Sequence, residues 1–369
     1  MTEPSIPSET PTDSEVVFPL DQVQSKVAIA FEVEEAMIEY GVPTFFVKLG
    51  ANSKQAFTRL VRDLSPMGIT PMLRKRKGRN VLKVTQKPKT KPSRPIINII
   101  LLLITICTVL ISGYVLSLGL VEDGLDPLIG AASFTLALLG ILGVHEMGHK
   151  LAANHHKMEA TMPYFIPGPP ALPGFFLSGI GTFGAVIVQK EHAPTKDALF
   201  DIGASGPIAG FILTVIVSAI GLILSPVKAS PTPPEGVLPI SYLFIVLIDT
   251  FVKIEPVAGM YYTIHLHPVA FAGWIGMFIT VLNLLPTGML DGGHTLRSLI
   301  DKDSARTIFT VASVLVLLYI QQYIMLAFVL FLSMYRHPGP LDDVSKLSLS
   351  RKLVAFLLLA IFGLCLFIF

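Results

Sequence analysis

Long apolar runs dominate the chain from Ile96 onward, while the residues before it alternate apolar and polar positions on a short scale. About 20 apolar residues span a bilayer core. The runs Ile96–Leu118, Leu128–Ala153, Ile202–Leu224 and Pro268–Leu285 each predict a span. Thr307–Ser333 carries a polar Gln321–Gln322 pair at its middle and is read as two short spans; Leu353–Phe369 is the last. Ile240–Val252 is short and interrupted by Asp249, so it is expected to lie along the membrane surface without crossing. Thr161–Gln189 is apolar but broken by Pro and Gly, and Ile180–Val188 has β-like composition. It predicts a re-entrant strand. Ahead of the spans, Val27–Tyr40 has helical spacing, Thr44–Lys48 is strand-like, Ser53–Leu64 is an amphipathic helix, and Ile69–Leu73 and Asn80–Thr85 read as paired strands. The fold class expected is an α-helical polytopic membrane protein of about seven transmembrane helices, with a re-entrant β segment and a small N-terminal α/β soluble domain.

Composition narrows the class. Hydrophobic residues are 52% and charged residues 15% of 369, against roughly 25% charged in an average soluble domain. Mean hydropathy is +0.66. Neither a soluble globular enzyme nor a disordered protein is expected. Cys107 and Cys365 stand alone inside apolar runs, which excludes a disulfide framework and a cysteine-based zinc site. Residues 1–19 are polar and acidic and are expected to be a disordered tail; 20–95 form the N-terminal domain and a basic linker; 96–369 form the membrane domain.

The near-zero net charge of +2 hides an asymmetry. Ten Lys/Arg fall between Arg74 and Arg94 with no acidic residue among them. An apolar run follows at once, so an anchor facing anionic lipid accounts for them better than a nucleic-acid tether, and no nucleic-acid partner is expected. With the N-terminus inside, nearly all Lys and Arg of the membrane domain fall on the inner side. That asymmetry supports a multi-pass protein with a cytoplasmic N-terminus, and the lack of a targeting segment favours a prokaryotic cell membrane over a plastid.

The chemistry is concentrated in two spans. The second ends in His145-Glu146-Met147-Gly148-His149. Residues i and i+4 of a helix share a face, so both imidazoles can meet one ion while Glu146 takes a proton from water beside it. Three ionisable residues in five positions of a membrane helix need a shared partner, and a divalent cation is the simplest. The alternative, two packed histidines and a buried carboxylate, leaves the charges uncompensated. A catalytic zinc usually has three protein ligands. The fourth span supplies Asp291, in Asn283-Leu-Leu-Pro-Thr-Gly-Met-Leu-Asp-Gly-Gly-His294, at a similar depth. Pro286, Gly288, Gly292 and Gly293 let that helix unwind, and His294 is a rival ligand.

HEMGH in one span and NLLPTGMLDGG at the end of a later one resemble the site-2 protease family of intramembrane zinc metalloproteases. Asp201-Ile-Gly-Ala-Ser-Gly-Pro-Ile-Ala-Gly-Phe211 resembles that family's small-residue core helix, although several members carry Asn near where Gly210 stands, so a role for that Asn does not carry over. The likeness covers about residues 127–295. The N-terminal domain and His267–Trp274 are similar to the branch with plant chloroplast, cyanobacterial and archaeal members. The resemblance implies one Zn2+ per chain held by His145, His149 and Asp291, with Glu146 as general base and Asn283 donating to the developing oxyanion. It implies transmembrane protein substrates, cut within the bilayer near its cytoplasmic side. For Asn283 a hydrogen bond between helices is the competing role.

His155 and His156 are expected at the wet inner interface rather than on the ion. His265 and His267 are expected on the opposite side, and His192 and His337 in loops. A zinc transporter is the leading alternative function, but one dense site near one face makes no path across the membrane. A proteolytically silent scaffold gives no reason for an intact His145, Glu146, His149 and Asp291. Substrate identity and oligomeric state are not legible in the residues.

Overall fold

A computed structural model of the chain describes residues 19–88, 92, 94–172, 179–234, 238–254, 258–319, 323–333 and 339–368. The chain divides into two compact units, residues 1–88 and 89–369. The first holds α1 (Leu20–Ala30), β1 (Glu32–Glu39), β2 (Val42–Lys48), α2 (Ser53–Leu64), β3 (Ile69–Arg76) and β4 (Arg79–Gln86). The strands form an antiparallel sheet in the order β1-β2-β4-β3. α2 buries Phe57, Leu60 and Leu64, three and four residues apart, and α1 buries Val23 and Val27. β3 and β4 are joined at Lys77 and Gly78, both with positive φ, the pairing a two-residue hairpin turn needs.

The expected helix over Val27–Tyr40 is not formed. The helix stops at Ala30, Phe31 is extended, and Glu32–Glu39 is a strand. Its glutamates favour a helix locally, but pairing with β2 places them beside cations: Lys48 on Glu32, Arg79 on Glu35, and Arg76 with Lys83 on Glu39. Tertiary pairing overrides propensity here. The expected tail lies outside the described residues except for Pro19.

The second unit begins with three helices long and apolar enough to cross a membrane: α3 (Pro95–Leu118), α4 (Pro127–His155) and α5 (Lys196–Ile223). The other expected spans are shorter helices: α7 (Pro268–Leu284), α9 (Asp303–Tyr319), α10 (Tyr323–Ser333) and α11 (Leu349–Cys365). The run Thr307–Ser333 is thus two helices, and Gln321–Gln322 lies outside the described residues. α6 (Tyr242–Phe251), ten residues long, rises about 15 Å, half a hydrocarbon core. α8 (Asp291–Leu299) completes the helices. Between α4 and α5, β5 (Tyr164–Pro167) pairs antiparallel with β6 (Thr182–Val186), where the β-like segment was expected. Two small sheets, β7 (Val227–Ser230) with β9 (Tyr261–Ile264) and β8 (Ile240–Ser241) with β10 (Phe367–Ile368), tie loops together.

Small residues set the closest helix approaches. Gly276 of α7 faces Thr214 of α5, and Gly273 faces Ser218. At both sites a methyl group has no room, and close backbone approach of this kind is how helices associate without a hydrophobic drive from water. Phe134, Leu138 and Ile141 of α4 pack with Val109 of α3, and Phe200 of α5 packs with Met277 of α7. α4, α5 and α7 therefore form the scaffold from which the functional side chains project.

Candidate metal centre

α4 starts cleanly. The Asp126 carboxylate accepts from the N–H groups of Leu128 and Ile129, and Pro127 takes the first helical position, where no donor is needed. Five turns on, His145 and His149 share a face and are each 5% exposed. Their rings meet edge to face with centroids 4.8 Å apart. His149 Nδ1 lies 2.6 Å from the Ile202 carbonyl oxygen of α5. A carbonyl only accepts, so Nδ1 carries the proton and Nε2 presents its lone pair to the site.

The third group comes from the break between α7 and α8. α7 ends at Leu284 and Leu285 leaves helical geometry. The Thr287 N–H then donates to the Leu285 carbonyl, and Gly288 has a φ of +53 that a side chain rarely adopts. The helix is unwound at Pro286 and Gly288, as the residues predict. It resumes at Asp291, whose carboxylate is carried at the start of α8. Asp291 Oδ2 lies 3.1 Å from His145 Nε2 and 3.2 Å from His149 Nε2, and the two Nε2 atoms are 3.1 Å apart.

That near-equilateral triangle tests the fit of a zinc ion. Tetrahedral zinc with bonds of 2.0–2.1 Å separates its donor atoms by about 3.3–3.4 Å. The donors present, two imidazole nitrogens and one carboxylate oxygen, are a common catalytic zinc set, and the spacing fits. Hydrogen bonding alone fits less well, because two facing lone pairs and a carboxylate oxygen need protons between them.

Glu146 stands beside the triangle. Donor atoms of His145, Glu146 and His149 all lie within 4.8 Å of one another. The Glu146 side chain is buried and turned to the backbone amide of Ile187, next to β6. Asn283 Nδ2 is 3.2 Å from His145 Nε2. The structure thus brings Asn283, Glu146, His145, His149 and Asp291 together. His294, the rival ligand, packs along Gly203 of α5.

The remaining histidines lie elsewhere. His155 is exposed, while His156 Nε2 is 2.8 Å from Asp201 Oδ2. His265 is 3.7 Å from Asp123, and His267 caps α7 through the Val269 N–H. His192 is in a loop, and His337 lies outside the described residues.

Part of the site escaped sequence reasoning. Gly203, Gly206 and Gly210 share one face of α5. A methyl group at Gly206 falls on the His149 ring, one at Gly210 lies 3.0 Å from His145 Nδ1, and one at Gly203 lies 2.8 Å from His294 Cβ. The signal was available in the i, i+3, i+7 spacing of these glycines.

Residues 133–328 match the sequence profile of peptidase family M50, more than half of the chain. The chain belongs to peptidase family M50. Membership bears out the resemblance to site-2 proteases and the zinc metallopeptidase class it implied. Among curated relatives, the chain is 33% identical over 189 residues to an Arabidopsis thaliana protein named "Probable zinc metalloprotease EGY1, chloroplastic"; the stretch is 50% of this chain and 32% of that protein. It is 34% identical over 172 residues to the Oryza sativa subsp. japonica protein of the same name, covering 45% of this chain and 28% of that protein. To Arabidopsis "Probable zinc metalloprotease EGY2, chloroplastic" it is 32% identical over 207 residues, 54% of this chain and 33% of that protein. The match thus spans about a third of the length of these relatives. No solved structure matches. These relatives are named chloroplastic, so the expectation of a prokaryotic cell membrane draws no support from them.

Proposed function

We propose that the protein is an intramembrane zinc endopeptidase that cuts transmembrane substrate helices near the side of the membrane where its N-terminus lies, the cytoplasm in a prokaryotic cell. The observation that carries this reading is the triangle of His145 Nε2, His149 Nε2 and Asp291 Oδ2 with sides of 3.1–3.2 Å, set beside Glu146. His145, His149 and Asp291 hold the ion. When bound, zinc supplies a Lewis acid that polarises the scissile carbonyl and raises the acidity of water.

The chain's own groups do the rest. Glu146 takes a proton from the attacking water and delivers it to the leaving amine. Asn283 Nδ2 donates to the oxygen on which charge develops. A helical substrate hides its peptide bonds, so it must unwind first. Among the described residues β6 pairs with β5 on one edge, next to the amide that faces Glu146. An extended substrate added to the other edge would lie along Glu146. Regulated cleavage of membrane-bound proteins or membrane-protein turnover is the role such a site suits, and no observation favours a transporter.

The test is cleavage of model transmembrane substrates by purified wild type and Glu146→Gln. Loss of cleavage with zinc content retained is expected. Equal cleavage by both removes Glu146 from the reaction. Metal analysis of His145→Ala, His149→Ala and Asp291→Ala addresses the ligands, and full zinc occupancy in Asp291→Ala points to another third ligand.

A further inference from the structure

Residues 339–351, a loop running into the first turn of α11, form a segment that ties α5 to α8. The Leu341 N–H donates to the Ala193 carbonyl at 2.8 Å and the Asp342 N–H to the Pro194 carbonyl at 3.0 Å, just before α5. The Ser348 N–H donates to Asp197 Oδ1 on the first turn of α5. Arg351 then reaches Asp201 with both arms of its guanidinium, Nε to Oδ1 at 2.9 Å and Nη2 to Oδ2 at 2.6 Å. On the other side, Arg297 of α8 donates to Asp343 Oδ2 at 2.6 Å, with Gly339 lying against its guanidinium. Asp342 between these anchors is fully buried.

Both anchors bear on the metal site. Asp201 immediately precedes Ile202, the residue whose carbonyl fixes the His149 ring. Asp201 is also held by His156, at the end of the helix that carries both histidines. α8 has nine residues, no side-chain cap at its start and an unwound stretch before it. So short a helix has little stability of its own. Arg297 sits six residues on from Asp291, toward the other end of α8. Partly buried ion pairs contribute little net stability when both partners must be desolvated, whereas a bidentate arginine fixes geometry.

We propose that residues 339–351, which lie beyond the residues 133–328 matched by the family, are a strap that positions the metal ligands. Through Asp201, Arg351 holds the turn of α5 that orients His149. Through Arg297, Asp343 holds α8 and with it Asp291. The inference rests on the zinc reading above, and Arg351, Asp201, Arg297 and Asp343 are positioning residues.

The test is the zinc dissociation constant of the full chain in detergent micelles, by competition with a chromophoric chelator, alongside the unfolding temperature of the zinc-free protein. Arg351→Gln and Asp343→Asn are each expected to weaken zinc binding by roughly tenfold, the low end of what losing a ligand's direct partner costs, because each acts through one intervening residue. Arg351→Lys is expected to recover only part of the loss, because an ammonium cannot span both carboxylate oxygens. Arg351→Gln combined with the near-isosteric Asp201→Asn is expected to be no worse than the worse single variant, since both act through one contact. A strap that only docks α11 lowers the zinc-free unfolding temperature and leaves affinity within about twofold of wild type, well short of the orienting effect. That result in folded variants overturns the proposal. Should Arg351→Gln fail to fold, Arg351→Lys and Asp343→Asn decide it by the same criterion. Wild type without a tight zinc site overturns the metal reading itself.

Discussion

At the scale of single residues, the site depends as much on missing atoms as on present ones. Gly206 leaves the space that the His149 ring occupies, and the ring is tied to the Ile202 carbonyl through Nδ1. Gly206→Ala is expected to displace His149 and weaken zinc binding by roughly tenfold or more, as loss of ligand orientation does. Gly363→Ala, in α11 where a methyl group meets nothing within 4 Å, is the control: it is expected to leave zinc binding intact and stabilise its helix by about 0.5–1 kcal/mol. Chelator competition and thermal unfolding read both. A second residue-scale expectation concerns Glu39 in the N-terminal unit. Hydrogen bonds from Lys83 and Arg76 hold its carboxyl down at about 2, below the ordinary 4.5. Its folded-state value is depressed, so its stabilisation is complete above pH 4.5 and is lost as pH falls toward 2. A titration of 13C-labelled glutamate carboxyls is expected to show that low midpoint, and Lys83→Met is expected to raise it. A Glu39 midpoint unchanged by Lys83→Met would remove the ammonium as the cause. HEMGH was legible because its meaning is carried by local spacing. Gly206 and Asp201 were not, because their partners lie 57 and 150 positions away, at His149 and Arg351.

Elements were legible where one physical signal dominated. α2 has the bounds that its apolar face predicts, and the α7 break falls where Pro286 and Gly288 make it cheapest. β1 was misread because glutamate spacing mimics a helix face while the ion pairs that hold it as a strand come from β2, β3 and β4. α4 allows a test of how firmly an element presents its ligands. Its only side-chain cap is Asp126, which satisfies two otherwise free N–H groups. Asp126→Ala is expected to cost about 0.5–2 kcal/mol of stability, and Asp126→Ser to recover most of it. The loss should appear in denaturant unfolding in mixed micelles. It should leave the zinc dissociation constant unchanged, since His145 lies five turns away and fraying stays within the first turn. A cap variant that weakens zinc binding as strongly as Gly206→Ala would mean that α4 moves as a rigid rod and that its start, too, positions the site.

On the scale of the whole molecule, the charge and hydropathy of the sequence marked where the N-terminal elements end and the apolar helices begin. They did not fix how many helices cross, because α7, α9 and α11 are each 17 residues long. At 1.5 Å per residue such a helix reaches about 25 Å, near the thickness of the hydrocarbon core, so tilt and neighbours decide. The division into residues 1–88 and 89–369 has a thermodynamic consequence. The three proposed zinc donors come from α4 and α8, both in the second unit. An ion that binds only the folded state stabilises it by RT ln(1 + [L]/Kd), about 4 kcal/mol at a thousand times Kd. Chelation is therefore expected to lower the unfolding temperature of the membrane unit. It should leave protection of the β2 and β4 amides unchanged, because the proposed donors all belong to the second unit. Hydrogen exchange with and without chelator, read separately over 20–88 and 95–365, makes the comparison in one sample. Loss of protection in both units on chelation would show that the zinc site is coupled to the N-terminal sheet, and the ligand strap would then be one part of a longer connection.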